Sequence, residues 1–267
     1  MTPKLDQISI YPIKSCAGID LQSSAVLGRG FPLDRRWLLV DKTGQFVSQR
    51  TNSLLGQIKL TQENDQLIVD YPDRELFHLE LKVNSTFRQD AMIWEDKVAG
   101  VWVSQESDDW FSEVLGQPVH LIHMNDEVQR PLVKDTLPQD RSFEVSFADG
   151  YPYLLTSQAS LDDLNGRLNS PVPMDRFRAN LVVNGFDAFA EDDWKRIRIG
   201  EVEFMVVKPC ARCQITTIDQ KTGASSKEPL KTLATYRKQN GKVMFGMNLV
   251  ALSTGSVSLR DSVTILE

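Results

Sequence analysis

The sequence predicts a β-rich, mixed α+β protein, and three observations carry that expectation. Short apolar runs with period-two alternation recur along the chain, separated by Gly, Pro, Asn and Asp turns. Few helical patterns alternate with them, which disfavours a doubly wound parallel sheet. The signatures GxGxxG opening a helix, GxxxxGK[ST], GxSxG and HExxH are absent, so the usual dinucleotide, triphosphate, serine-hydrolase and zinc-protease folds have no anchor here.

Taken in order, Gln7 to Lys14 reads as a strand, and Pro12 and Gly18 then place Lys14, Ser15 and Cys16 on a bend. Arg36–Val40 and Gln45–Gln49 flank Asp41-Lys42-Thr43-Gly44 as a hairpin. On such a strand the adjacent Arg35 and Arg36 face opposite ways, so one of them at most reaches a given pocket. Leu67–Tyr71, Leu76–Leu81, Lys97–Ser104 and Val119–Met124 are further strands. Asp109–Leu115 has helical spacing, with Ser107 near its start and Gly116 after its end. Asn125–Ser142 is charged, holds Pro131 and Pro138 and lacks periodicity, so it reads as a linker or long loop between residues 1–124 and 143–267. In the second part, Ser160-Leu161-Asp162-Asp163 resembles a capping box, with Leu161, Leu164 and Leu168 as an apolar stripe. Leu181–Val183 is a short buried strand, and Glu228–Gln239 a helix with Pro229 in its first turn. Val243–Glu267 gives two or three strands.

Lys208–Gly223, KPCARCQITTIDQKTG, is the stretch with the most chemistry. It reads as strand, loop, strand: apolar residues lead in, Ile215–Ile218 lead out, and the loop presents Cys210 and Cys213 with Arg212 between them. A zinc site would need His120 and His123 as partners, but three-residue spacing on a strand sends them to opposite faces. A dithiol of the C-x-x-C kind belongs at a helix start, which β-branched residues disfavour. What remains from the residues alone is a single thiolate at Cys213, a soft metal ligand or a nucleophile.

Composition bounds the partners. The 267 residues carry 30 Lys and Arg against 36 Asp and Glu, a net charge of −6, which argues against a nucleic-acid surface but leaves room for a local basic pocket. No apolar run reaches the roughly 18–20 residues of a membrane span. The N-terminus lacks an apolar signal centre and the chain has three cysteines, so a cytoplasmic, reducing location is expected.

YPIKSCAG, DRRWLLVD, SQASLDDLN, RFRANLVV and KPCARCQITTIDQKTG with KEPLKTLATYR occur in an order that resembles MOSC-domain proteins with an N-terminal MOSC β-barrel region, the group of the amidoxime reducing components and their bacterial counterparts. The resemblance covers nearly the whole chain. It implies a MOSC β-barrel with a β-barrel-like N-terminal region packed against it, and it implies a molybdenum cofactor, a phosphorylated pterin holding molybdenum; pyridoxal phosphate is not expected. Cys213 would be the thiolate ligand to molybdenum. Lys14, Ser15, Arg35 and Arg178 would hold the anionic pterin, and Gly150, Tyr151, Asn180 and Arg212 would line it. Asp149 would stand near the metal and relay protons, and Phe245–Asn248 is a weaker candidate segment. The implied activity is reduction of small N-hydroxylated compounds; the alternative is a non-catalytic carrier of the cofactor or its sulfur. Some bacterial members continue into a ferredoxin-like domain, whereas this resemblance stops at Glu267, so electrons are expected from a separate flavin or iron–sulfur protein.

Overall fold

The computed structural model describes residues 2–267. Most strands expected from alternation form, and the architecture is β-rich α+β with three α-helices among the described residues. The largest sheet has nine strands. Its path runs Val263–Ile265, Arg196–Ile199, Val202–Ala211, Lys242–Ala251, Tyr153–Ser157, Leu181–Asn184, Lys4–Ile10 and Ile19–Leu21, with Lys238–Gln239 paired to Lys242–Ala251 off the path. The central strands are apolar on both sides because both faces are covered. Tyr153, Leu155, Leu181 and Val183 enter one core, while Leu154, Val182 and Phe245 enter another beneath the helices Gln158–Arg167 and Leu230–Tyr236.

The first strands of the chain belong to this sheet. Lys4–Ile10 pairs antiparallel with Leu181–Asn184, and Ser23–Val26 pairs with Gly255–Ser258 near the far end of the chain. The rest of the N-terminal part forms its own small sheets. Trp37–Val40, His120–His123 and Val101–Trp102 make one, and Lys59–Glu63, Gln66–Asp70 and Phe77–Glu80 another, over a core that includes Trp37, Leu67 and Phe111. Ile19 and Leu33 pack against both this core and that of the large sheet.

Four local expectations are corrected. The helix expected at Asp109–Leu115 begins at Gln105, because Ser104, not Ser107, is its N-cap and accepts the Ser107 N–H at 3.1 Å. The helix Gln158–Arg167 starts two residues ahead of the expected box at Ser160, because Ser157 caps it and accepts the Ser160 N–H at 3.1 Å. The hairpin after Arg36 keeps only one regular arm: Gln45–Gln49 meets it through the Val40–Phe46 bridge and the Val47 N–H to Leu39 carbonyl bond. The strand expected at Ile215–Ile218 is instead a 3₁₀ turn over Gln214–Thr217. Its threonines explain this, since Thr216 and Thr217 hydroxyls donate back to the Cys213 and Gln214 carbonyls at 3.0 and 2.7 Å, offering the backbone a local alternative to a sheet.

Candidate functional site

The long strand Val202–Ala211 carries Cys210 near its end and then releases the chain into the 3₁₀ turn, with Cys213 at the turn's start. Pairing with Lys242–Ala251 shifts register between Val206 and Lys208 and again between Pro209 and Ala211. Bulges of this kind bend a strand and re-aim its side chains. The three cysteines consequently differ. Cys16 is buried, and burial pushes its thiol up to about 12, so it is an inert packing residue. Cys210 is half-buried and receives a hydrogen bond from Arg212 Nη1 at 3.0 Å. Cys213 is exposed, and Arg50 Nη1 donates to its sulfur at 3.7 Å.

A group of cations gathers around Tyr11. The Arg35 and Arg178 guanidiniums lie against its ring, 4.7 and 4.2 Å from the centroid. Burial pushes the Tyr11 phenol up to about 12, so the ring is neutral. Arg35 is neutralised: Nη1 donates to Asp34 Oδ2 at 2.5 Å, and although burial, the largest single influence, lowers its pKa, Asp34 together with Tyr11 and Asp149 raises it on balance. Arg178 has no carboxylate partner among the described residues. Its Nη1 donates to the Cys16 carbonyl at 2.7 Å, and burial brings its pKa down to about 10. Arg212 Nη2 donates to the Phe177 carbonyl at 2.6 Å, while its buried Nε has no partner. Asn180 is committed to the protein, donating to the Ser9 carbonyl and accepting from Leu154 N–H and Arg35.

A second group surrounds Asp149. Lys14 is buried, and its Nζ donates to the Phe147 carbonyl at 2.7 Å and to Asp149 Oδ1 at 2.5 Å. Burial lowers the Lys14 pKa, and Asp149 opposes that shift. Burial would raise the Asp149 carboxyl, but Lys14 and then Arg50 hold it well below the usual carboxylate range. Trp94 Nε1 donates to the same carboxylate oxygen at 3.2 Å, and the Arg50 guanidinium lies 4.4 Å from the Trp94 ring centroid.

All ten residues picked from the sequence line one cavity of about 810 Å³: Lys14, Ser15, Arg35, Asp149, Gly150, Tyr151, Arg178, Asn180, Arg212 and Cys213. This volume lies within the usual range for small-molecule sites, about 300–1,000 Å³. Of the weaker segment, Asn248 reaches the cavity, while Phe245 stacks on Phe177 beneath it. A side chain at Gly150 would meet open space, so that glycine leaves room without being sterically required. Arg35 lines the cavity for a reason other than strand alternation. It sits at φ 53, ahead of the strand Trp37–Val40, while Arg36 turns to the Met124 carbonyl and Asp126. Ser15 and Arg178 also have positive φ, 74 and 53, without being glycine or asparagine. Such left-handed positions are costly and cluster at functional sites.

Arg50, Trp94 and Lys208 line the cavity too, and the sequence reading missed them. Only Trp94 left a signal: an aromatic residue in the polar turn Trp94-Glu95 between the strands Ala91–Ile93 and Asp96–Val98. His120 and His123 have other duties. His120 Nδ1 contacts Asp108 Oδ2 at 2.6 Å, and the His123 ring packs on Trp37 at 4.6 Å.

The sequence matches two family models, the MOSC N-terminal beta barrel domain over residues 2–118 and the MOSC domain over residues 142–264. Mitochondrial amidoxime reducing component 2 of Rattus norvegicus is 33% identical over 277 residues, covering 97% of this chain and 82% of the relative. Mitochondrial amidoxime-reducing component 1 of Homo sapiens is 33% identical over 279 residues, with the same coverage of 97% and 82%. Molybdenum cofactor sulfurase of Oryza sativa subsp. japonica is 35% identical over 266 residues, 92% of this chain, but the chain spans only 32% of that longer relative. With both domains matched in order and the two amidoxime reducing components aligned over 97% of it, the chain belongs to the family of MOSC-domain proteins with an N-terminal MOSC β-barrel domain, the family of the mitochondrial amidoxime reducing components.

Proposed function

We propose that the protein is a molybdenum-cofactor-dependent reductase of small N-hydroxylated compounds, fed electrons by a separate flavin or iron–sulfur protein. The molybdenum cofactor is the cofactor of this family, and two of the relatives aligned above carry amidoxime reduction in their names. The observation that carries the reading is one cavity lined by an exposed thiol, Cys213, and by a half-buried guanidinium, Arg178, without a carboxylate among the described residues. A soft thiolate suits molybdenum, and an uncompensated guanidinium with the orphaned Arg212 Nε suits a phosphorylated pterin.

In this reading Cys213 ligates the metal, and Arg178, Arg35 and Arg212 hold the pterin's anionic part. Lys14 and Ser15 complete that wall from the N-terminal part. When bound, the cofactor supplies the two-electron chemistry that removes oxygen from an N–O bond as water. Asp149 acts as a counter-charge for Lys14 rather than as a proton store, because a carboxyl held below the usual range carries no proton near neutral pH. Residues 125–142 connect two parts that share one site, so neither part binds the cofactor alone. No helix among the described residues is long and apolar enough to cross a membrane, and the cytoplasm is the location we assign.

The name of the rice relative favours a second reading, a carrier of the cofactor or its sulfur. Turnover decides between them. Cofactor-loaded protein with a chemical reductant should reduce an aromatic amidoxime over many cycles; a single stoichiometric event or none would support the carrier.

A further inference from the structure

Arg50 stands apart from the cations that the pterin needs. Its guanidinium rests on Trp94 and Phe46, 4.4 and 5.4 Å from their centroids, and one of its N–H groups reaches the Cys213 sulfur. Asp149 feels its charge but makes no ion pair with it, and no hydrogen bond other than that to Cys213 engages its guanidinium among the described residues. The residues beneath it are fixed. Trp94 sits at φ 57 in its turn, its indole N–H is tied to Asp149, and Asp149 is tied to the buried Lys14. Trp94 is 54% exposed, so this stack forms the solvent side of the cavity beside the thiol.

Resting on the reductase reading above, we propose that Arg50 is a substrate-orienting residue. Its free N–H groups receive an oxygen acceptor of the N–O substrate beside Cys213, and its fixed charge favours planar substrates that are anionic or neutral over those that carry a positive charge. A guanidinium stacked on an indole is already ordered, so little rotamer freedom is lost when it binds an acceptor. The guanidinium's charge disfavours a second cation beside it, since juxtaposed like charges repel.

The test uses the cofactor-loaded protein and three aromatic amidoximes that differ only in the para substituent: carboxylate, hydrogen and trimethylammonium. Dissociation constants are measured calorimetrically, independently of turnover. Wild-type protein should bind the carboxylate compound at least about 10-fold more tightly than the trimethylammonium one, with the unsubstituted compound between them. Arg50→Gln should shrink that ratio to about 2-fold or less, whereas Arg50→Lys should keep part of it. Trp94→Leu should weaken all three similarly, through loss of the platform. Molybdenum content should stay at wild-type level in Arg50→Gln. An unchanged ratio in Arg50→Gln, no measurable binding by wild type, or loss of molybdenum like that of an Arg178 variant would each overturn the proposal. If the Arg50-dependent ratio is found but none of the three compounds is turned over, the reductase reading fails and the orienting role stands.

Discussion

The cavity's two charged groups treat their cations differently. Around Tyr11, Arg35 has Asp34 but Arg178 has no carboxylate, and neither does Arg212, which rests on Phe177. Around Trp94, Lys14 already holds Asp149 at 2.5 Å. A cation that is satisfied in the free protein gains little from a ligand's charge, while a buried cation left unpaired gains the most. The contrast is what supports the proposal that the cofactor's anion is anchored at Arg178 and Arg212, with the Lys14 pair shaping the wall near the thiol and Arg50 left for the substrate.

The largest effect should come from the Cys213 sulfur, which lines the same cavity as both groups. Cys213→Ser should take turnover to background, because a neutral hydroxyl replaces a soft anionic ligand. Cys210→Ser, whose sulfur serves Arg212, should keep most of the activity; equal losses would remove the distinction between the two thiols.

Next comes cofactor retention. Arg178→Ala should weaken it about 10- to 100-fold, the worth of a charge-assisted hydrogen bond to an anion. Lys14→Ala should cost less than that, under about 10-fold, since Asp149 offsets its charge beforehand. The reverse order would break the comparison.

A smaller effect appears without cofactor. The Arg178 pKa is lowered on folding to about 10, so the charged form is disfavoured in the folded protein and carries a stability penalty at neutral pH. Arg178→Met should therefore leave the cofactor-free protein as stable or raise its stability, by about 1–3 kcal/mol at most, in urea unfolding. Asp34→Asn, which strands Arg35, should lower stability by a similar amount.

The smallest effect concerns pH. Asp149 has a depressed folded pKa, so its contribution is fully present above its ordinary 3.8 and is lost only as pH falls through the lower folded value. Retention should thus show no carboxylate inflection from this pair between pH 5 and about 7. An inflection in that window that disappears in Asp149→Asn would mean that Lys14 does not hold the carboxylate as described.

How much of this was legible in the sequence follows the range of the interactions. Alternating apolar runs marked strands such as Gln66–Asp70 and Phe77–Glu80, because one-face burial is a local pattern. The β-branched run after Cys213 misled, because threonine back-bonding overrides strand preference. Cys213 could be isolated by excluding zinc and dithiol sites, but Lys14, Arg35 and Arg178 became site residues only through the family's motif order. Nothing in their neighbours announces the left-handed backbone that aims Arg35 and Arg178. Arg50 was invisible for a related reason: it meets Cys213 across 163 residues of chain, a contact that only the folded sheets create.

The most direct test of the central claim, that Arg178 anchors the cofactor ligated by Cys213, is a count of molybdenum and pterin per protein after dialysis. Wild type is compared with Arg178→Ala, Cys213→Ser and the exposed strand control Arg198→Ala. The account predicts full retention in wild type and Arg198→Ala, loss of pterin and molybdenum together in Arg178→Ala, and loss chiefly of molybdenum in Cys213→Ser. Folded Arg178→Ala and Cys213→Ser proteins that keep both components at wild-type level would contradict it.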